Sequence, residues 1–512
     1  MEPKKILIKS KSIYDGTDRP PFSGYILIKG EIIHEVSDFE PSTNLMNSCD
    51  EVIDFNDGLI SPGFIDVHCF FSGYAMNYIG ENLLNVTSSE ELKIYLDLNK
   101  SSDTILGHSL SPNLLNKANE ELVNTYITPI VLMINGCEKC LMNQAAKNIY
   151  KFTPETCYPE SFWRLISINL NNKIKITSLF EKYIQFMNSK GVTGVKEMGF
   201  DDYYGFTSIL KEFDSKNKLN LRYHFMSQPV AKPLDLSFAD KITKELENTS
   251  VQFSGFNLMT DESISENKGE LKQPYSCEVS PNNLKPINWE LIKDLTHQVD
   301  ESNYRISLHA QGDGAVSKIL DIYETCKKDA NGQLINRHAI TDLELTDPID
   351  LERMGKINAI AEIYPQIQSL YSYTEKTELI YDKIGIERSK NYWNRRKMID
   401  SGITLSCATD LPLLFDDIPS SIYYSCGGHF RLGKEVFNIQ NTITRQEILK
   451  AWTSGGAYNL SRENDIGTLE VGKKADIAIF NMNLFNIPLI DLNKAYIVTT
   501  IFNGKIVYKK KG

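Results

Sequence analysis

GLISPGFIDVHCFF, residues 58–71, is the stretch on which the reading of the whole chain turns. Leu59 and Ile60 run into a Ser61-Pro62-Gly63 turn, and Phe64 to Phe71 continue as an apolar run of strand length. Successive side chains on a strand face opposite ways. Asp66, His68 and Phe70 therefore share one face, and Val67, Cys69 and Phe71 share the other. A histidine at the end of such a strand is a candidate metal ligand or a satisfied core histidine.

Working outward, residues 4 to about 56 read as short strands (KKILIKS, GYILIKG, EIIHEVSD, EVIDFN) punctuated by Asp15-Gly16, Gly24 and Gly30. The far end has the same texture, with GTLEVGKKADIAIFN, AYIVTTIFNG and KIVYKK broken by Gly467, Gly472 and Gly504. Two β-rich ends around a different middle predict a small β-sandwich built from residues 1–60 and 461–512. The middle, residues 61–460, alternates apolar strand-like runs with amphipathic helical ones. Candidate strands are TPIVLMI (128–134), FWRLISINL (162–170), GVTGVKEMG (191–199), LNLRYHFM (219–226), QFSGFNLM (252–259), YRISLHA (304–310), RHAITDLEL (337–345), INAIAEIYP (357–365) and ITLSCATD (403–410). Helical stretches lie between several of them, such as SLFEKYIQFMNSK before Gly191 and GAVSKILDIYETCKKD after His309. Alternation of this kind over this length predicts an α/β fold, a (β/α)₈ barrel with insertions.

The chain has 512 residues, 41% apolar and 24% charged, which suits one large soluble domain with a smaller companion. A net charge of −11 without an extended basic stretch argues against nucleic acid or an anionic membrane as partner. Nine scattered cysteines point to a reducing compartment rather than a disulfide framework. With no signal-like core after Met1 and no apolar run of membrane-spanning length, the expected location is the cytoplasm.

In a barrel of this kind, chemistry sits at the C-terminal ends of the strands. Four polar residues occupy such positions: His68, His309 at the end of RISLH, Asp342 within RHAITDLEL, and Asp410 at the end of ITLSCATD. Taken singly, a strand-end aspartate also serves as a cap for the loop or helix that follows.

PGFIDVH closely resembles the first barrel strand of the amidohydrolase superfamily, PGFID-x-H-x-H, with Phe70 in place of the second histidine. SLHAQGDGAV, RHAITDLELTDPIDLERMGKINAIAEIYP and CATDLP resemble further segments of one branch, the amidohydrolase 3 type of YtcJ-like proteins and N-substituted formamide deformylases. GTLEVGKKADIAIFN resembles the closing segment of the superfamily, in which Asp476 is structural. The resemblance runs from about residue 5 to 505. It implies metal binding at His68, His309 and Asp410, with Asp410 also taking the proton from the attacking water. It places Asp342 where the branch has a metal-binding histidine, and FNLMTDES puts Asn257 at the position of a bridging carboxylated lysine, with Asp261 after it. Phe70, Asn257 and Asp342 thus alter three positions of a two-metal centre. The remaining set, His68, His309, Asp342 and Asp410, suits one divalent ion, zinc first and iron or manganese as alternatives.

Other polar residues are candidates for the substrate pocket. Cys137, in GCEKCLMN, stands where the branch carries a substrate-loop motif, although Cys137 and Cys140 are equally surface or core thiols. Lys196 and Glu197 end an apolar strand and either enter the site or pair with neighbours. Asp313 follows His309, and Tyr74, Tyr364 and Tyr371 follow strand ends. Cys69 and Cys407 face the helices and read as packing, and His338 reads as a surface or strand-start residue.

The expected activity is metal-dependent hydrolysis of a non-peptide C–N bond in a small amide, formamide or cyclic amide, with Asp410 as general base. The rival is a non-catalytic binding or regulatory protein that keeps the pocket without the metal. A third reading is lyase or isomerase chemistry using Asp410 and Lys196. The expected partner is a small-molecule substrate, and a homodimer is the family-level expectation.

Overall fold

The computed structural model describes residues 3–135, 139–151, 173–199, 205–229, 233–278, 286–370, 372–410, 417–431 and 433–511. Its centre is a sheet of eight parallel strands: β1 (Phe64–Cys69), β2 (Val192–Gly199), β3 (Arg222–Ser227), β4 (Gln252–Met259), β5 (Ile306–Ala310), β6 (Ala339–Asp342), β7 (Ile360–Ile363) and β8 (Leu405–Cys407). Each pairs with the next in chain order, as consecutive β–α units dictate. The sheet closes on itself where β8 returns to β1. There the Asp410 N–H donates to the His68 carbonyl at 2.9 Å, and the Thr409 N–H donates to the Asp66 carboxylate at 3.1 Å. This is the expected (β/α)₈ barrel.

Alternation sorts the strand residues. Register places Lys196 beside His224, Asn257 beside Ser307, and Glu362 beside Ser406, all on the inner face. Val195, Tyr223 and Phe225 face outward into the helical layer. The helix Lys173–Ser189 buries Phe180, Tyr183 and Met187 there, and Phe180 meets Phe71 edge-on at 5.2 Å. The helix after β5 spans Asp313–Tyr323, shorter than the amphipathic stretch suggested.

The two ends of the chain meet in a second sheet. Ile477–Phe480 lies antiparallel to Leu59–Pro62, with Ile479 opposite Ile60, and Lys5–Ile13 runs parallel to Leu59–Pro62 on its other side. Ile6, Ile8, Ile26, Ile28, Ile477 and Ile501 fill one face, while Leu7, Tyr25 and Leu27 pack under Leu45 and Met46 on the other. Arg222 at the foot of β3 ties this sheet to the barrel. Its guanidinium donates twice to the Asp476 carboxylate, at 2.7 and 3.1 Å, in the bidentate geometry that suits arginine.

One expectation is corrected. TPIVLMI is not a barrel strand, because Ile130–Ile134 belongs to a separate four-stranded sheet inserted between β1 and β2. That sheet (Glu81–Asn82, Ile105–Leu110, Ile130–Ile134, Cys140–Met142) has its own core of Leu92, Leu96, Ile105, Ile130, Leu132 and Leu141. A strand buried on both faces reads alike in either sheet, so its composition could not assign it. FWRLISINL (162–170) lies outside the described residues. No described helix is long and apolar enough to cross a membrane.

Candidate active site at the C-terminal end of the barrel

His68, His309, Asp342 and Asp410 all come from the C-terminal ends of barrel strands or the residues just beyond them. They form two pairs. His68 Nε2 stands 3.8 Å from Asp410 Oδ1, and His309 Nε2 stands 3.2 Å from Asp342 Oδ2. Asp342 and Asp410 both have left-handed backbones, with φ of 81° and 51°. Such a conformation is costly for a residue with a side chain and is found preferentially where function holds it in place.

The two histidines differ electrically. Burial holds His68 down to about 3, so its imidazole is neutral; Glu362 opposes that fall and Lys196 adds to it. Burial alone would also lower His309, but the carboxylates of Asp261 and Asp342 outweigh it and lift the ring to about 10. His309 Nδ1 faces the Asp261 carbonyl at 3.1 Å, which leaves Nε2 pointing at Asp342. The Asp261 carboxylate accepts the N–H groups of Gln311 (2.9 Å), Gly312 (2.9 Å) and Glu270 (3.0 Å), so it is a fixed post behind His309. Gln311 donates from Nε2 to Asp342 at 2.7 Å, a contact sequence reasoning missed.

Tyr364 lies between the pairs. Its ring is 5.5 Å from that of His68, its hydroxyl meets Thr341 at 2.9 Å, and after burial the charges of Asp410 and Asp342 hold its phenol protonated. Phe70 packs edge-on against His68 at 5.4 Å and fills the position of the second histidine with carbon. Asn257 donates from Nδ2 to Gln228 Oε1 at 3.2 Å, and a neutral amide there supplies no bridging carbamate.

Below the site the lumen is polar. The Lys196 ammonium donates to Glu362, both fully buried, and burial lowers the lysine to about 8 against the pull of that carboxylate. Glu362 Oε1 also accepts from Asn459 Nδ2 (2.9 Å) and Ser307 Oγ (3.3 Å). Glu362 is a second residue that sequence reasoning passed over. A glutamate in the apolar run INAIAEIYP was the available signal, since a buried carboxylate requires partners.

Several candidates lie elsewhere. Glu197 is not a pocket residue: it faces outward and accepts the Phe71 N–H at 2.6 Å and the Tyr223 hydroxyl at 2.7 Å. Asp313 begins its helix and accepts the Lys272 N–H at 2.9 Å rather than joining the two pairs. Tyr74 packs against Tyr183 and Phe186 of an outer helix. The Cys69 thiol meets the Tyr183 hydroxyl at 3.3 Å on the helix side, and Cys407 is buried. Cys137 and Tyr371 lie outside the described residues, and Cys140 begins a strand of the inserted sheet.

His338 is buried rather than on the surface, and Asp300, Cys326 and His338 form a cluster at the N-terminal end of the barrel strands. Among the described residues this trio alone brings three possible ligand atoms within 4.8 Å of one another. Its hydrogen bonds are already spent. His338 takes the Ile306 N–H on Nδ1 and faces Asp300 through Nε2 at 3.0 Å, Asp300 also accepts from Lys327 and Asn336, and the Cys326 thiol donates to Ile322. It is a structural network.

The donors at the other end fit one divalent ion in kind. They comprise a neutral imidazole, a second imidazole that would give up its Nε2 proton to an ion while a carbonyl holds its Nδ1, and two carboxylates. Ligands about 2.0–2.2 Å from a tetrahedral ion lie roughly 3.3–3.6 Å apart. At 3.8 Å, His68 and Asp410 are too far apart for a hydrogen bond and close to that ligand spacing. His68 Nδ1 is buried without a hydrogen-bond partner among the described residues.

A model described as "Amidohydrolase family" matches residues 172–508. YtcJ of Bacillus subtilis is 24% identical over 329 residues, 63% of this chain and 59% of that protein. An N-substituted formamide deformylase of Arthrobacter pascens is 20% identical over 225 residues, 43% of this chain and 40% of the deformylase. These matches span less than two thirds of either relative. The crystal structure of an uncharacterized metal-dependent hydrolase from Pyrococcus horikoshii covers 95% of this chain and 99% of its own, with a TM-score of 0.72 at 18% identity.

Proposed function

The chain belongs to the amidohydrolase family, and from that premise we propose that it hydrolyses a non-peptide carbon–nitrogen bond of a small amide, formamide or cyclic amide at a single-metal centre. His68, His309, Asp342 and Asp410 would hold the ion. Zinc suits this mixture of nitrogen and oxygen ligands best, and iron or manganese also fit. When bound, such an ion lowers the pKa of water towards about 7 and polarises a carbonyl.

The observation that carries the reading is the 3.8 Å approach of the neutral His68 ring to the Asp410 carboxylate at the seam between β1 and β8. Asp410 takes the proton of the attacking water as general base and returns it to the departing nitrogen. Tyr364 and Phe70, each packed against the His68 ring, help keep bulk water off it. Asp261 and Gln311 orient His309 and Asp342 through their hydrogen bonds. The similarity to an N-substituted formamide deformylase supports formamides as the first substrates to try.

A second reading, a binding protein that no longer uses metal, is favoured by one observation: no three of the four donors have ligand atoms within 4.8 Å of one another. An assay separates the two. Protein reconstituted with zinc, iron or manganese is offered a panel of N-formyl amines, N-acyl amines and cyclic amides. Turnover that falls about 10²–10⁴-fold in Asp410→Asn supports the hydrolase. No turnover under any metal, or turnover indifferent to the substitution, supports the binder.

A further inference from the structure

The buried pair Lys196–Glu362 has no role in the steps above, yet it lies beneath His68 in the lumen. Glu362 and Tyr364 are two residues apart on one face of β7 and its exit, and the Tyr364 ring is already beside the His68 ring. Glu362 is therefore one layer deeper, on the same wall. Its Oε1 is pinned by Lys196, Asn459 and Ser307. Its Oε2 is buried and has no hydrogen-bond partner among the described residues, and His68 Nδ1 is in the same position. An ammonium has three donors, and one of those on Lys196 goes to Glu362. Register places Lys196 beside β1 between the partners of Asp66 and Cys69, so its ammonium, the Glu362 oxygen and the His68 ring nitrogen all belong to the polar lumen below the site, the kind of setting in which a buried water is held.

We propose that Glu362, held by Lys196, is a positioning residue for His68: through one bridging water its Oε2 accepts the hydrogen bond of the His68 Nδ1–H and fixes the tautomer whose Nε2 lone pair faces Asp410. The inference rests on the hydrolase reading, in which Nε2 is the ligand atom. A ligating imidazole ordinarily passes its other N–H to a carboxylate or carbonyl, and losing that partner typically weakens metal binding about 10–100-fold. His309 has such a partner in the Asp261 carbonyl, and Glu362 fills that place for His68.

The test is nitrogen NMR of the histidine rings in metal-free protein at neutral pH, with the His68 signals identified by their loss in His68→Gln. In the wild type the expected form is Nδ1–H, and Nε2–H overturns the proposal. In Lys196→Met/Glu362→Met, which removes both charges together, the preference is expected to vanish and zinc affinity to fall about 10–100-fold. An unchanged tautomer in that variant overturns the proposal. Lys196→Arg keeps a cation on Glu362 and is expected to keep the wild-type tautomer. Should the double variant fail to fold, the wild-type spectrum still decides. The readout needs neither metal nor turnover, so an inactive protein would defeat the hydrolase reading while leaving this result standing.

Discussion

Asp66 on β1 accepts both the backbone N–H of Thr409, at 3.1 Å, and its hydroxyl, at 2.5 Å, just past β8. Elsewhere in the barrel, neighbouring strands are joined by backbone ladders, whereas among the described residues this seam is bonded through the Asp66 carboxylate and the Asp410-to-His68 backbone bond. The Asp66 carboxylate also accepts the His68 N–H at 3.3 Å. Barrel closure and the placing of His68 and Asp410 are therefore one piece of structure.

Asp66→Ala should cost about 3 kcal/mol, because it strands buried donors that Asp66→Asn can still partly satisfy. Urea denaturation of the two variants checks this, and an Ala variant as stable as the wild type would contradict the role of the seam.

The Arg222–Asp476 pair should behave as a buried salt bridge. Asp476→Ala leaves a buried guanidinium and is expected to cost about 3–5 kcal/mol, while Arg222→Met/Asp476→Leu is expected to recover most of that loss. Thermal or chemical melts of both variants test it, and equal losses would show that the charge is not what matters.

Glu197 predicts a pH dependence. Burial raises its carboxyl to about 8, despite the stabilising bonds from Tyr223 and Phe71. The folded pKa is above the unfolded value, so between about pH 4.5 and 8 the native state holds a proton that the unfolded chain has released. Stability from this group is complete below that window and declines as pH rises through it, by up to about 1.4 kcal/mol per pH unit. Glu197→Gln keeps the shape and removes the titration. Its stability relative to wild type should rise from pH 5 to pH 8, and a constant difference would refute the assignment.

Much of this was legible in the sequence because local rules and distant partners agreed. GVTGVKEMG, YRISLHA and ITLSCATD are apolar runs with a polar residue or glycine at or next to the end, and they form β2, β5 and β8. TPIVLMI obeys the same rules, and nothing local marks it as part of an inserted sheet. The seam was hidden because Asp66 and Thr409 are 343 residues apart and each is unremarkable alone. The positions of His68, His309 and Asp410 at or just past strand ends were visible through their motifs. The outward turn of Glu197 follows from strand alternation once Lys196 is assigned inward. Gln311 was not visible, because its role depends on a partner from another strand, and Glu362 gave only the signal of a carboxylate set in an apolar run.

The central claim is tested most directly by the metal content of the purified, zinc-reconstituted protein, read by elemental mass spectrometry beside His309→Ala. The account predicts about one equivalent of a divalent transition metal in the wild type and its loss in the variant. No metal in the wild type after reconstitution, or an equal content in both proteins, would contradict it.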